Sequence, residues 1–459
     1  MSHAMSRRKF LSVAGGALAG STLLGGLGRF GVASAASTSG YKALVCLYLN
    51  GGNDAFNWLV PTSASAYATY AASRSNLALS SSSLLALNGT ASDGNTYGIH
   101  PSCPELRTFF NNGHAAFVCN VGTLIQPTTV AQAQTGSVPL PPQLFSHLDQ
   151  STEWMTAYPQ SQNRYGWAGR IADLLAAQGV TSNLAVNIVV GGTNYWQNGQ
   201  ATNPYTLGIS GAPTTSIFAD PYYRSGARAK MAKALLTMAE SDSNLMVAQH
   251  AAIWQNAINK VTLINSALTA AGDFTTVFPG PASAGNDWNL SQQLHEVGRV
   301  IKAQTEIGDA RQIFFVELGG FDTHDGELAT QSQLLGYVSQ YLNVFWEAMN
   351  EIGQQNNVTV FTMSDFGRTL QPNNDGADHG WGSHHLVLGG AVQGGYYGQM
   401  PSLVLGGAND FGQGRMVPTT SCDQFAATLA SWFGLSSSDL ATVFPNLANF
   451  STSKLGFMG

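Results

Sequence analysis

Charged residues are scarce in this sequence, and basic residues are scarcer than acidic ones. The 459 residues include 20 Lys and Arg and 26 Asp and Glu, which gives a formal net charge of −6. The first 35 residues contain four basic residues and no acidic residue, so the rest of the chain has a larger excess of acidic residues. A nucleic-acid backbone or an anionic membrane surface therefore finds no basic patch, and we expect neither as a partner. With 44% hydrophobic residues, the composition also excludes charge-driven disorder and a coiled coil.

Cysteine is rare as well, and no two of the four cysteines have the C-x-x-C spacing. Cys46 and Cys119 lie in apolar runs that are typical of core strands. We therefore expect buried thiols rather than a disulfide framework, with a single bridge after export as the open alternative.

The amino-terminal segment has the pattern of an export signal. Arg7 and Arg8 precede a Gly-rich apolar run over residues 13–27, and the small residues 33–35 follow as a cleavage site. This pattern resembles a bacterial twin-arginine signal, so we predict that residues 1–35 are removed after passage through the twin-arginine translocase into the periplasm or the medium. A membrane anchor is the alternative, but glycines and Arg29 interrupt the run, and we expect no stable membrane insertion after cleavage.

Apolar runs alternate with helical periodicity in the remaining chain. The runs that predict buried strands cover residues 43–49, 115–121, 184–190, 312–318 and 358–363. Residues 167–177, 227–271, 292–304 and 328–352 have the spacing of helices. This alternation predicts an α/β fold with a mostly parallel central sheet and helices on both faces. Since no internal repeat is present, we expect residues 36–459 to form one domain with loop and helical insertions.

Carboxylates and imidazoles gather at the predicted strand ends. Asp54, Asp322 and Asp365 each follow an apolar strand, at the edge where open α/β sheets bind ligands. Four imidazoles lie in the same part of the chain, namely His324, His379, His384 and His385. Mixed Asp and His ligands suit one or two Zn, Mn or Fe ions, whereas an oxygen-only shell favours Mg or Ca. Taken singly, each residue could instead be a cap, a turn residue or a core histidine.

Several short motifs also occur in a defined order along nearly the whole chain. They are Gly51-Gly52-Asn53-Asp54, His100-Pro101, Ser146-His147, Gly320-Phe321-Asp322-Thr323-His324, Ser364-Asp365-Phe366-Gly367-Arg368, Asp378-His379-Gly380 and Leu388-Gly389-Gly390-Ala391-Val392. The ordered set resembles the twin-arginine-exported domain-of-unknown-function 1501 family, which is related to the alkaline phosphatase and sulfatase superfamily. The resemblance implies an alkaline-phosphatase-like core, two metal positions, a Ser or Thr nucleophile at a helix start, and phosphate or sulfate esters as substrates.

The resemblance also implies roles for individual carboxylates. Asp54 is similar to the first-strand metal ligand, and Asp365 stands where the superfamily has a ligand that is more often Glu in this family. Asp322 is similar to another ligand, although its histidine partner commonly lies four residues on and His324 lies only two residues on.

Histidines supply the remaining ligands that the resemblance implies. His379 is similar to the imidazole that follows a ligand Asp, displaced here into the next loop. Either His384 or His385 would complete the set, because adjacent residues in a strand face opposite sides.

For the nucleophile we favour Ser146, which precedes a predicted helix through residue 154. A helix N-terminus presents free N–H groups to an anion, but Ser is also a common helix cap, and both interpretations stay open. His147 would orient the leaving group or bind metal, and Arg368 would clamp a charged oxygen, unless either is structural.

Together these features predict an exported metal-dependent hydrolase of small-molecule or glycan phosphate or sulfate esters, acting in line with two metals. The chain lacks the C-x-P-S-R motif of formylglycine sulfatases and the G-x-S-x-G elbow of α/β-hydrolases. The alternative is an exported binding or envelope-assembly protein that keeps the fold without catalysis.

Overall fold

The computed structural model describes residues 40–161, 163–209, 211, 227–281 and 288–459. The predicted export signal, with Arg7, Arg8 and the cleavage site, lies outside the described residues. None of the helices in the described ranges has both the length and the apolar character needed to cross a membrane.

Strands and helices alternate along the described chain. The strands are β1 Lys42–Leu49, β2 Leu59–Pro61, β3 Leu85–Ala86, β4 Tyr97–Ile99, β5 Ala115–Gly122, β6 Asn187–Val189, β7 Tyr205–Thr206, β8 Arg311–Leu318, β9 Val358–Ser364, β10 Arg368–Pro372, β11 Ala377–His379, β12 Ser383–Gly389, β13 Gly395–Gly398 and β14 Thr420–Ser421. The helices are α1 Ala55–Trp58, α2 Ala64–Arg74, α3 Pro104–Asn111, α4 Val130–Thr135, α5 His147–Thr156, α6 Trp167–Ala177, α7 Ala227–Glu240, α8 Leu245–Ala271, α9 Trp288–Lys302, α10 Gln304–Ile307, α11 Glu327–Glu351, α12 Cys422–Phe433 and α13 Ser437–Val443.

One large sheet forms the centre of the molecule. Among the described residues it has nine strands, with neighbours in the order β13, β5, β12, β9, β1, β8, β6, β7 and with β14 paired to the end of β5. All strands run in one direction except β12, which is antiparallel to β5 and β9. The predicted mostly parallel α/β sheet is therefore confirmed. Two small sheets, β2–β4–β3 and β10–β11, lie outside it.

Apolar side chains cover both faces of this sheet. Along β1, Val45 and Leu47 belong to a core that includes buried residues of α9 and α11. The alternate residues Cys46 and Tyr48 belong to a second core that includes residues of α6 and α12. Because both faces are packed against helices, the strands need continuous apolar sequence, which is the pattern that predicted them.

The three central strands end at the same level. Leu49 of β1 pairs in register with Leu318 of β8 on one side and with Ser364 of β9 on the other. The loops after these strands therefore emerge side by side at the carboxyl edge of the sheet, which brings their polar residues together.

Local sequence signals account for most of the element boundaries. Ser421 and Gln424 form a reciprocal capping box at the start of α12, as their spacing predicts. Strand β6 is shorter than the predicted run over residues 184–190, and at the start of that run the backbone N–H groups of Asn183 and Leu184 donate to the Asp309 carboxylate instead of to a strand. All four cysteines are buried free thiols, as expected.

Candidate metal centre and active site

Loops that follow the two strands on either side of β1 supply two carboxylates to this edge of the sheet. Asp322 follows β8 and Asp365 follows β9, so both lie at the carboxyl edge of the sheet. The loop after β1 packs against the first of them at Gly51, whose φ is 121°. A Cβ at that position would collide with the backbone nitrogen of Asp322, so only glycine permits this close approach.

The start of α5 brings His147 over the same edge. Ser146 is the N-cap of this helix: its Oγ accepts a hydrogen bond from the Asp149 N–H and its hydroxyl donates to Asp149 Oδ2 at 2.7 Å. The next side chain, His147, is 36% exposed, and its Nδ1 lies 2.6 Å from Asp365 Oδ2. Ser146 therefore has the capping role that sequence reasoning left open.

Two imidazoles have their Nδ1 atoms hydrogen-bonded to oxygen acceptors. His147 Nδ1 faces Asp365, and His379 Nδ1 lies 2.8 Å from the Phe145 carbonyl oxygen. A carbonyl or a carboxylate only accepts hydrogen bonds, so these two Nδ1 atoms carry the proton in the neutral ring. Their Nε2 atoms are then left with a lone pair, the form in which histidine binds metals. A third imidazole, that of His324, has its Nδ1 at 3.3 Å from Asp378 Oδ1.

The three Nε2 atoms converge on the Asp322 carboxylate. The Nε2 atom of His379 lies 3.1 Å from that of His147 and 2.9 Å from that of His324. The Asp322 oxygens lie 3.5 Å, 3.1 Å and 3.3 Å from the Nε2 atoms of His147, His324 and His379, respectively. Asp322, His147, His324 and His379 are called the Asp322 cluster below.

These spacings match the donor set of a first-row divalent ion. Tetrahedral zinc with bonds of 2.0–2.1 Å places neighbouring ligand atoms about 3.3 Å apart. Asp322, His147 and His379 can each direct one ligand atom into the same small volume. Lone pairs and a carboxylate at these distances repel each other, and a bound cation would relieve that repulsion. The donor set thus fits Zn, Mn or Fe, the ions that mixed Asp and His ligands favour.

Arg368 holds Asp322 and is not free to clamp a substrate. Its buried guanidinium donates to the Asp322 carboxylate and to four backbone carbonyls, those of Gly51, Gly52, Phe321 and Ala377. Burial by itself raises the pKa of Asp322, but the hydrogen bond and charge of Arg368, together with the charges of His147 and His324, leave that pKa below its usual value. The expected substrate clamp is therefore corrected: Arg368 is a positioning residue.

Asp365 contacts the Nδ1 side of His147, opposite the Nε2 atom that lies near Asp322. One of its oxygens accepts from Tyr48 Oη and the other from His147 Nδ1, and the residue is almost fully buried. The hydrogen bond to Asp365 raises the pKa of His147 against the effect of burial. Burial lowers the pKa of His379, opposed by its bond to the Phe145 carbonyl. Asp365 is thus an orienting partner of His147, and both of its oxygens are engaged, in contrast to the metal ligand that we expected.

Three further predicted ligands lie away from the Asp322 cluster. Asp54 is fully buried beside Arg74. His384 and His385 lie in β12 and point to opposite faces of the sheet, against Phe56 and Trp154, respectively. Burial lowers their pKa values to about 4 and about 3, so both are neutral core histidines. Because these two histidines lie inside the strand, their side chains enter the packed layers and not the loops at the edge.

Sequence reasoning missed several partners in this site. Asp378 directly precedes His379, and that adjacency was a usable signal. Phe145 contributes only its carbonyl oxygen, which is directed at His379 by a left-handed backbone with φ 73°, a conformation that costs a non-glycine residue about 1–2 kcal/mol. Neither that carbonyl nor the Tyr48 hydroxyl has a sequence signature, because both depend on contacts across elements.

Comparisons with other proteins agree with the family expected from the ordered motifs. A model of the family described as protein of unknown function (DUF1501) matches residues 41–446. A search of curated protein sequences gave no match. Similar solved structures include an alkaline phosphatase superfamily protein from Vibrio parahaemolyticus, with 12% identity over 87% of this chain and 69% of that chain and a TM-score of 0.37.

Two other similar structures are enzymes by their descriptions. A lipoteichoic acid synthase from Listeria monocytogenes is 9% identical over 94% of this chain and 81% of that chain, with a TM-score of 0.36. A phosphonate monoester hydrolase from Agrobacterium radiobacter is 11% identical over 86% of this chain and 74% of that chain, with a TM-score of 0.32. Identities and TM-scores this low carry no information about substrate or mechanism.

Proposed function

The chain belongs to the DUF1501 family of proteins of unknown function, and on the geometry of its Asp322 cluster we propose that it is a metal-dependent hydrolase of phosphate or sulfate esters. The observation that carries the proposal is the convergence of three imidazole Nε2 atoms on one carboxylate, with the Nδ1 atoms of His147 and His379 hydrogen-bonded to oxygen acceptors. This arrangement lies at the open carboxyl edge of a parallel sheet, where a substrate has access.

The residues of the cluster have distinct parts in this proposal. Asp322 and His379, with His147 and His324, would hold a divalent ion, which when bound supplies Lewis-acid polarisation of an ester oxygen. Arg368 keeps Asp322 ionised and fixed. The Asp365–Tyr48 pair fixes the ring of His147, so that its Nε2 stays directed at the ion.

Ser146 is the proposed nucleophile, immediately before His147 at the start of α5. Its Oγ would attack the phosphorus or sulfur atom while its proton passes to Asp149 Oδ2, 2.7 Å away. The bond to the substrate's ester oxygen breaks, and that oxygen leaves as an alcohol after taking the proton held by Asp149. A water molecule then attacks the phosphorus or sulfur atom, and the serine oxygen leaves with one of the water's protons, which restores the hydroxyl.

Metal content and turnover test the proposal together. The untagged chain is purified, its Zn, Mn and Fe are counted by plasma mass spectrometry, and phosphate monoesters, phosphate diesters and sulfate esters are screened. We expect His379→Ala to lose the ion and at least 100-fold of the turnover, since it removes the imidazole whose Nε2 lies beside the Nε2 atoms of both other histidines and beside Asp322. The matched control is His295→Ala. His295 also pairs with a carboxylate, that of Asp273, but it lies in α9 and is not part of the Asp322 cluster.

The results separate the two functions that the sequence leaves open. A chain that binds the ion and turns over one class of ester supports the hydrolase. An ion without turnover on any ester would favour the non-catalytic binding protein, and a chain without any ion would contradict the metal site itself.

Two substitutions separate the two roles of Ser146. Ser146→Ala removes both the hydroxyl and the cap, whereas Ser146→Asn removes the hydroxyl but keeps a good cap. If Ser146 is the nucleophile, we expect both variants to bind the ion and to hydrolyse no ester. If Ser146→Asn is as active as the unmodified chain, Ser146 is a helix cap and nothing more.

A further inference from the structure

We infer that the Arg74 guanidinium occupies, as a fixed cation, the place beside Asp54 where a second metal ion is expected, so that the chain binds a single ion at the Asp322 cluster. The inference rests on the proposed metal site and changes its expected stoichiometry. Asp54, Arg74 and Glu327 are called the Arg74 pocket below.

The two oxygens of Asp54 are already engaged. Oδ1 accepts a hydrogen bond from the Phe56 N–H at 3.0 Å and so caps α1, while Oδ2 pairs with Arg74 Nη2. The side chains of Asp54 and Arg74 are both 0% exposed. A metal ion at Asp54 would therefore have to displace a buried guanidinium.

Arg74 lies among oxygen atoms from separate parts of the chain. Its Nη1 donates to the carbonyls of Thr369 at 3.0 Å and Leu370 at 3.3 Å, and its Nη2 donates to Glu327 Oε1 at 2.8 Å as well as to Asp54. Two carboxylates and two carbonyls are the kind of ligand set that a hard divalent ion prefers. In this chain the guanidinium of Arg74, the last residue of α2, donates hydrogen bonds to these oxygens instead.

The charges of the pocket balance without an added ion. Burial, together with the nearby charge of Asp54, raises the pKa of Glu327 to about 9, so this residue is neutral at pH 7. One guanidinium then neutralises one carboxylate. A divalent ion in the same pocket would be repelled by Arg74 at short range and at low dielectric constant.

The histidines near Asp54 have the wrong tautomer for metal binding. His384 Nδ1 accepts from the Asn120 N–H at 3.0 Å, and His100 Nδ1 accepts from the Ser102 N–H at 3.1 Å. An N–H group only donates, so these rings carry their proton on Nε2. Each Nδ1 lone pair is already used and no Nε2 lone pair remains, in contrast to His147 and His379 of the Asp322 cluster.

The test counts ions per chain. The untagged full chain is saturated with Zn, Mn or Mg in separate experiments, dialysed, and measured by plasma mass spectrometry. We expect one ion per unmodified chain, one ion in Asp54→Asn, and less than 0.1 ion in Asp322→Asn. The two variants are matched, because each replaces one strand-end Asp with its neutral isostere and each Asp pairs with an arginine.

Two ions per unmodified chain would overturn the inference and leave the proposed function intact. Loss of the ion in a folded Asp54→Asn, as judged by circular dichroism, would overturn it too. No ion in the unmodified chain would instead overturn the proposed metal site. If Asp54→Asn does not fold, Glu327→Gln replaces it, and this variant is expected to keep one ion.

Discussion

The Asp322 cluster and the Arg74 pocket lie after neighbouring strands of one sheet, yet they have opposite properties. Asp322 is 47% exposed and faces imidazole lone pairs, whereas Asp54 is fully buried and faces a guanidinium. Both aspartates follow a central strand in similar Gly-rich sequence, so the strand-end pattern alone does not distinguish them. The difference comes from what the rest of the chain places beside each carboxylate.

The direction of one hydrogen bond on each histidine separates the two regions further. His147 and His379 of the Asp322 cluster donate from Nδ1 to oxygen, which leaves the lone pair of each Nε2 unprotonated. His100 and His384, whose pKa values feel the charge of Asp54, accept at Nδ1 from backbone N–H groups. The histidines of the proposed metal site and the core histidines are therefore distinguished by the neighbour of Nδ1 and not by their place in the sequence.

The largest effect is expected when the cation of the Arg74 pocket is removed. Arg74→Ala leaves the buried charge of Asp54 without a positive partner and removes a hydrogen bond from Glu327, which costs about 3–5 kcal/mol of unfolding free energy. Urea denaturation measures the loss. Arg107→Ala is the control, because Arg107 is exposed on α3 and its removal changes stability by about 0.5 kcal/mol or less. Equal stability of the two variants would contradict a structural role for the buried guanidinium.

A smaller effect, on metal affinity, is expected when the hydrogen-bond partner of His147 is changed. Asp365→Asn weakens the hold on His147 and should lower metal affinity about 10–100-fold, as for other partners of ligand histidines. Competition with a coloured chelator measures the affinity. Asp378→Asn is the matched control: Asp378 also pairs with a histidine, but it is exposed at a distance of 3.3 Å, so its loss should matter much less. A larger effect at Asp378 would place the main ligand at His324 instead.

The smallest effect concerns the pH dependence of the Arg74 pocket. Glu327 is protonated in the folded chain up to about pH 9 and ionises near its usual pKa after unfolding, so the folded state binds more protons between these values. Its contribution to stability is complete at low pH and is lost as the pH rises, by up to about 1.4 kcal/mol per pH unit. Glu327→Gln has no proton to lose, and its stability should fall less between pH 6 and pH 8. Parallel stability profiles for the two proteins would show that Glu327 is ionised in the folded chain.

Much of the fold follows from local sequence. The apolar run at residues 43–49 predicts β1 within one residue, and the periodicity of residues 167–177 predicts α6. Buried strands and amphipathic helices have such signatures because each residue's environment repeats with the period of its own element. The short β6 departs from its predicted run, and at the start of that run a distant side chain, Asp309, binds the backbone.

The candidate site follows from sequence only in part. Asp322, His324, His379 and His147 were all predicted as site residues, and the structure brings them together. Asp54, His384 and His385 were chosen by the same criteria and lie elsewhere. Nothing in the local sequence around Asp54 shows that Arg74, twenty residues later, pairs with it.

By itself, the sequence determined the class of fold, the family, and the edge of the sheet at which Asp322 and its neighbouring histidines gather. Those properties depend on periodic burial and on strand ends, which neighbouring residues encode. The tertiary structure decided which carboxylate faces imidazoles and which faces a guanidinium, and on which nitrogen each histidine carries its proton. Such choices depend on hydrogen bonds between residues that are distant in sequence, for example the 234 positions that separate Phe145 from His379, and they arise only when the chain has folded.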